Sequence, residues 1–176
     1  MEFFQTLYSR KTVRSYTGES ITEAELAEIL KAAYAAPIGR RRYDTLHLTV
    51  ITNPAFLAAW EKQAGMEMGK EDAHPFYGAP TVVLISSVVD GGEYSNVNYS
   101  NAAIIAQNMA LAACELGVGA CHIWGAVRTL NNCPALLEQL PIPAGMEPVC
   151  SVALGKTEET YSLREIPVRF ETSFVK

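Results

Sequence analysis

No apolar run in this chain approaches the roughly 18 to 20 uninterrupted residues that a membrane-spanning helix requires. The longest candidate, Ala102 to Ala113, is broken by Gln107 and Asn108. The first residues, Met1-Glu2-Phe3-Phe4-Gln5-Thr6, carry neither a basic lead nor a secretory apolar block, so the expected address is the cytoplasm. Cysteine is sparse: Cys114, Cys121, Cys133 and Cys150 stand at spacings of 7, 12 and 17 with no CxxC pair, and free, buried thiols are expected. His47, His74 and His122 are scattered without HxxxH or HExxH spacing, so no metal site is indicated. Also missing are GxxxxGK[ST], GxSxG and any Ser/Gly-rich linker or internal repeat. These absences disfavour a Walker-type phosphate loop and a serine nucleophile, and leave residues 1–176 as a single domain.

Positive charge is outnumbered, with 14 Lys and Arg against 19 Asp and Glu for a net charge of −5. A protein built to hold nucleic acid electrostatically would show the opposite balance. What positive charge there is lies early: residues 1–42 carry seven Lys/Arg against five acids, and the remainder seven against fourteen. With 49% apolar and 19% charged residues, the chain has the composition of a globular domain with a substantial core.

Helices and strands interleave. Glu2 to Tyr8 reads as a short helix; Thr22 with Glu25 forms a capping box that opens a second, running to about Ala36 and stopped by Pro37. Leu46 to Ile51 is a strand, followed by a helix after Asn53-Pro54. Thr81 to Val88 is nearly all apolar and short, the signature of a strand covered on both faces. After the Asp90-Gly91-Gly92 loop, Tyr99 to Leu116 is the longest helix, and Gly117 ends it. Gly119 to Trp124 and Val149 to Leu154 are further strands, with a short helix at Pro134 to Gln139 between them. Helices on both faces of a sheet give a three-layer arrangement. Arg164 to Lys176 has no place in that unit, and its alternation (Val168, Phe170, Thr172, Phe174) asks for a sheet edge to pair with.

Three segments could carry chemistry. Ser9-Arg10-Lys11-Thr12-Val13-Arg14 packs three cations and two hydroxyls into six residues, a set that suits a phosphate, although a solvated basic turn would look the same. Pro37-Ile38-Gly39-Arg40-Arg41-Arg42-Tyr43 is a loop between helix and strand, where ligands commonly lie. Gly117 to Gly125 combines small residues with Trp124, able to admit and cover a planar ring, or simply a helix stop and a buried strand. Its lone GxG leads into a strand and lacks a third glycine, which disfavours a Rossmann dinucleotide site. Cys121 and His122, adjacent on a strand, face opposite sides and form no nucleophile pair. Glu71-Asp72 and Glu158-Glu159 read as solvated surface.

The joint order of these pieces resembles the FMN-dependent nitroreductase family over essentially the whole chain. It is carried by the Ser-Arg-Lys-Thr-Val-Arg segment, the helix ending Ala35-Ala36-Pro37, Asn101 to Met109, Leu116-Gly117-Val118-Gly119 and Leu154-Gly155-Lys156. The resemblance implies an α+β fold with a mixed, mainly antiparallel sheet flanked by helices. It also implies a homodimer with FMN at its interface and a C-terminal extension, 164–176, that embraces the partner. By the same resemblance Arg10, Lys11, Thr12 and Arg14 match the segment for the FMN phosphate and nearby flavin atoms, with Arg164 as the late basic partner and Arg169 in reserve. Pro37, Ile38 and Gly39 match one wall of the flavin. Arg40 to Tyr43 depart from the Asn-x-Gln-Pro common in relatives, and Arg42 is the residue expected to take that place. Asn101, Cys121, Trp124 and Gly125 match positions near the ligand. The implied activity is hydride transfer from NAD(P)H through flavin N5 to small planar acceptors such as nitroaromatics or quinones. A flavin-binding module without turnover, and an ene-reductase or dehalogenase on the same scaffold, are the alternatives. Ala64 to Tyr77 and Tyr94 to Tyr99 are the segments expected to set specificity.

Overall fold

A computed structural model describes all residues except Met1, Glu71 and Asp90. The elements, in chain order, are α1 (Phe3–Ser9), α2 (Glu23–Tyr34), β1 (Leu46–Ile51), α3 (Pro54–Met68), β2 (Thr81–Ser87) and α4 (Ser95–Glu115), then β3 (Gly119–Ile123), α5 (Gly125–Asn131), α6 (Pro134–Leu137) and β4 (Glu147–Gly155). Local chemistry accounts for several boundaries. The Thr22 hydroxyl accepts from the Glu25 N–H at 3.2 Å while the Glu25 carboxylate accepts from the Thr22 N–H at 2.8 Å, which closes the expected capping box. Asn53 caps α3 by accepting from the N–H groups of Ala55 and Phe56, and Pro54 occupies the first helical position, where its missing N–H costs nothing.

The four strands form one sheet in the order β1-β2-β4-β3, and every pairing is antiparallel. Within the described residues the expected mixed sheet is therefore antiparallel throughout, with β1 and β3 as its edges. β2 is buried along its whole length, as its apolar run requires. Alternate residues serve opposite faces: Val83 and Ile85 join Ile29, Met109 and Val152 in one cluster under α2 and α4. Val82 and Leu84 join Trp60, Phe76 and Leu130 in a second cluster under α3 and α5. Two cores on the two faces of one sheet make the three layers that the pattern predicts.

Two boundaries differ from the sequence reading. α4 starts at Ser95, one turn earlier than Tyr99, because its first turn is polar and the apolar period begins later; Asn98 there donates to the Val88 carbonyl at 2.7 Å. The third expected strand stops at Ile123, and Trp124 opens α5, a helix that the sequence reading did not include. No side-chain cap marks its start; it exists because it packs on α3, where Trp60 Nε1–H donates to the Ala126 carbonyl at 2.8 Å. Residues 156–176 form neither helix nor strand, and from Ser162 onward every residue is exposed.

Candidate functional site

Two of the sequence-selected segments stand toward opposite ends of α4. At its C-terminal end, Thr6 Oγ1 donates to Glu115 at 2.5 Å and anchors α1. Arg10 caps α1, and the chain then runs beside β3, where the Val13 N–H donates to the Ala120 carbonyl at 3.0 Å. Val13 is fully buried, while Arg10 and Lys11 are half-buried and Thr12 and Arg14 exposed. Burying the one apolar residue of the segment presents its cations and hydroxyl at the surface. Cys121 lies along β3, and Trp124 and Gly125 lie beyond its far end, where Ile123 pairs with Ser151 and the neighbouring Cys150 thiol donates to the Ala102 carbonyl of α4. Near the other end of α4, Asn101 Oδ1 accepts from the Gly39 N–H at 2.9 Å and holds the Pro37–Gly39 loop. About four helical turns separate Asn101 from Glu115, roughly 20 Å. Measured along the helix, the Ser9–Arg14 and Pro37–Gly39 segments are therefore well apart within a single chain.

Several of these residues have partners that no local pattern reveals. Arg164 Nε donates to the Tyr8 carbonyl at 3.1 Å and its Nη2 to the Arg10 carbonyl, so it braces the turn on which Arg10 stands. Lys11 is paired with Glu159 at 2.7 Å. The ammonium holds the Glu159 carboxyl below its ordinary range, chiefly through that hydrogen bond. Glu159 had read as plain solvated surface, and 148 positions from Lys11 there is no spacing from which to find it. Arg14 lies 5.8 Å from the centroid of the Tyr77 ring. Arg42 is committed to Asp44, with Nε and Nη2 each donating at 3.0 Å. Any charge it presents beside a ligand is therefore offset by a carboxylate.

Tyr16 locks the basic segment in place. Its single O–H is shared between the carbonyls of Val13 and Ala153, both at 3.2 Å, and its ring lies over Gly119 and Gly155, where any Cβ would come within 2.9 Å of it. Burial pushes its phenol pKa upward, with Cys121 as the next contributor, so it acts as a neutral donor. Burial likewise raises the Cys121 thiol, against a smaller opposing effect from Arg14; the side chain is a packing group. His122 is exposed while Cys121 is buried, as strand alternation demands.

Beside this segment a cleft of about 340 Å³ is lined by Met68, His74, Tyr77, His122, Trp124 and Gly125. Trp124 is 65% exposed, and a Cβ on Gly125 would meet Met68 Cε at 3.2 Å. By the Pro37–Gly39 loop, Asn101 is 2% exposed and its Nδ2 has no hydrogen-bond partner among the described residues, a buried donor left over on the residue that carries the loop. A Cβ on Gly39 would come within 2.9 Å of Val97, which explains glycine there. Among the described residues, no group of three or more His, Cys, Asp or Glu could hold a metal ion, and no helix is long and apolar enough to cross a membrane.

Such a molecule belongs to a definite class: a three-layer α+β domain with a basic, phosphate-sized turn at one end of its central helix and a glycine-bearing loop at the other. The profile of the nitroreductase family matches residues 7–156, and the chain belongs to that family. It is 28% identical to a nitroreductase of Bacteroides fragilis whose crystal structure contains bound FMN, with a TM-score of 0.83 and coverage of 99% of this chain and 98% of that one. An FMN-bound nitroreductase of Desulfitobacterium hafniense has the same fold, with a TM-score of 0.86 at 20% identity over 100% of this chain and 99% of that one. The chain is also 25% identical over 163 residues to an FMN reductase (NADPH) of Bacillus subtilis. That match takes in 86% of this chain but 64% of the relative, so the chain spans less than two thirds of that protein's length.

Proposed function

We propose that this chain is an FMN-dependent NAD(P)H oxidoreductase that works as a homodimer and passes a hydride to small planar acceptors. The observation that carries the reading is the separation of the Arg10–Arg14 segment from the Pro37–Gly39 loop by about four turns of α4, roughly 20 Å. A two-fold partner would set the loop of one chain against the basic turn of the other and complete two equivalent sites.

The residues fit the group. Arg10, Lys11, Thr12 and Arg14 supply charged and hydroxyl donors suited to a phosphate, and Arg164 holds the Tyr8–Arg10 turn from behind. Trp124, largely exposed, and Gly125 stand at the edge of the neighbouring cleft. From the partner, Pro37 to Gly39 would form the opposing wall, with Asn101 Nδ2 as a donor awaiting an acceptor. When bound, the flavin supplies hydride chemistry that no side chain of this chain can provide. The protein's part is to orient it, cover one face and keep positive charge near it. The 340 Å³ cleft beside Trp124 and His122, which Tyr77 also lines, is then where an acceptor enters.

The first test is an absorption spectrum of the purified protein with identification of any chromophore released on denaturation. Arg10→Ala and Arg14→Ala should each weaken FMN binding by about 1.5–3 kcal/mol, the worth of a charged hydrogen bond, while Arg128→Ala, on α5, should not. Equal FMN affinity in all three would remove the phosphate assignment.

Glu159 offers a second test. Its pKa is held down by Lys11, so the ion pair is present at neutral pH and is lost only as pH falls through that lowered value. At pH 7 the carboxylate therefore competes with an incoming phosphate for the Lys11 ammonium. Glu159→Gln is expected to tighten FMN binding about two- to fivefold, in line with the modest worth of partly exposed pairs. Weaker binding in calorimetric titration would mean that Glu159 positions Lys11 for the ligand.

A further inference from the structure

The loop Arg40-Arg41-Arg42 combines three consecutive cations with an unusual backbone. Arg40 and Arg41 have φ of 58° and 55°, two consecutive left-handed residues at positions where glycine or asparagine would sit without strain. The conformation is held from both sides. The Arg41 N–H donates to the Ile38 carbonyl and the Arg42 N–H to that of Gly39. Thr45 Oγ1 and N–H both donate to the Arg42 carbonyl, and Gly39 is tied to Asn101. Non-glycine residues kept in such a place point to a use for their side chains.

The three guanidinium groups are not equivalent. Arg42 is paired with Asp44. Arg40 lies 4.1 Å from the centroid of the Tyr94 ring, over a cleft of about 120 Å³ that Gly39, Val97 and Glu93 also line. Arg41 is exposed and, among the described residues, has no acidic partner. It stands two residues beyond Gly39, within about 7.6 Å of it along the chain.

We propose that Arg41, with Arg40 seated beside it on Tyr94, forms an oxyanion subsite at the rim of the flavin wall. This subsite selects ligands that carry a phosphate or carboxylate group. The inference rests on the flavin reading above, which makes the Pro37–Gly39 loop that wall. A guanidinium binds either oxyanion bidentately, and the anion has two possible sources: the 2′-phosphate that distinguishes NADPH from NADH, or a carboxylate on the acceptor itself.

The experiment uses the flavin-loaded wild type, Arg41→Gly and Arg41→Lys. Values of kcat/KM are measured for NADPH against NADH with a neutral acceptor, then for 4-nitrobenzoate against 4-nitrobenzyl alcohol with NADH as donor. Binding of NADP⁺ against NAD⁺ is read separately by calorimetry. Arg41→Gly should lower at least one anionic-to-neutral ratio by five- to tenfold, and Arg41→Lys, which keeps the charge but loses the bidentate fork, should retain only part of that preference. The ratio that falls identifies the source: the dinucleotide pair, with its calorimetric counterpart, for the 2′-phosphate, and the nitro-acceptor pair for the acceptor's carboxylate. Glycine relieves the positive φ, so the melting temperature of Arg41→Gly should be equal to or above that of the wild type. A yellow Arg41→Gly protein with every ratio within twofold of wild type overturns the subsite and leaves the flavin reading standing. A wild type that takes up no FMN, seen in its spectrum before any kinetics, overturns both.

Discussion

On the dimeric reading proposed above, deleting residues 169–176 is expected to convert the protein from dimer to monomer and to release its flavin. In the chain by itself Phe170 is 81% exposed, Phe174 80% and Val175 101%, and none of these residues belongs to a helix or strand. Burial of two phenylalanines and a valine would contribute about 5 kcal/mol per tail, and a two-fold dimer has two tails. The dimer dissociation constant should therefore rise by three orders of magnitude or more. Arg164 remains in the truncated protein and still braces Tyr8 and Arg10, so loss of flavin would come from loss of the partner's wall. Light scattering coupled to size exclusion, with absorbance followed at flavin wavelengths, reads both effects at once. A truncated protein that stays dimeric and yellow would show that the tail does not embrace a partner.

A single methyl group should have the next largest effect. In Gly155→Ala the new Cβ would lie 2.7 Å from Pro80 Cδ and 2.9 Å from the Tyr16 ring. Neither neighbour can yield cheaply: the proline ring is rigid, and Tyr16 is pinned by its hydroxyl on Val13 and Ala153. Overpacking of this kind costs about 2–3 kcal/mol, a fall in melting temperature of roughly 4–12 °C for a chain of this size. Displacing Tyr16 also loosens the support of Val13, on which the Arg10–Arg14 segment rests, so flavin affinity should fall with stability. Thermal unfolding with and without added FMN separates the two. A variant with the wild-type melting temperature would mean that β4 and Tyr16 part without strain.

Much of this architecture was legible locally. The capping box at Thr22, the doubly buried run of β2 and the proline after α2 are consequences of residues within a few positions of one another, and the structure has them where the pattern puts them. The start of α4 and the whole of α5 were not, because neither carries a side-chain cap and both are stabilised by contacts with distant elements. The candidate site divides the same way. Its cations were visible as a cluster between Ser9 and Arg14, and the three arginines of the loop as a run. Their partners lie far off in sequence: Glu159 for Lys11, Tyr77 for Arg14 and Tyr94 for Arg40.

By itself, then, the amino-acid sequence determined the type of most elements, the covering of both sheet faces and the types of residue available for a phosphate-bearing planar ligand. Those properties follow from hydrophobic period, capping and side-chain chemistry, which act over a few residues. Only the tertiary structure decided that Lys11 is paired with Glu159, that Arg164 braces the basic turn, and that the Arg10–Arg14 and Pro37–Gly39 segments stand toward opposite ends of α4. Charge pairing and the separation of groups depend on which distant segments are packed together, and no local pattern in the chain encodes that.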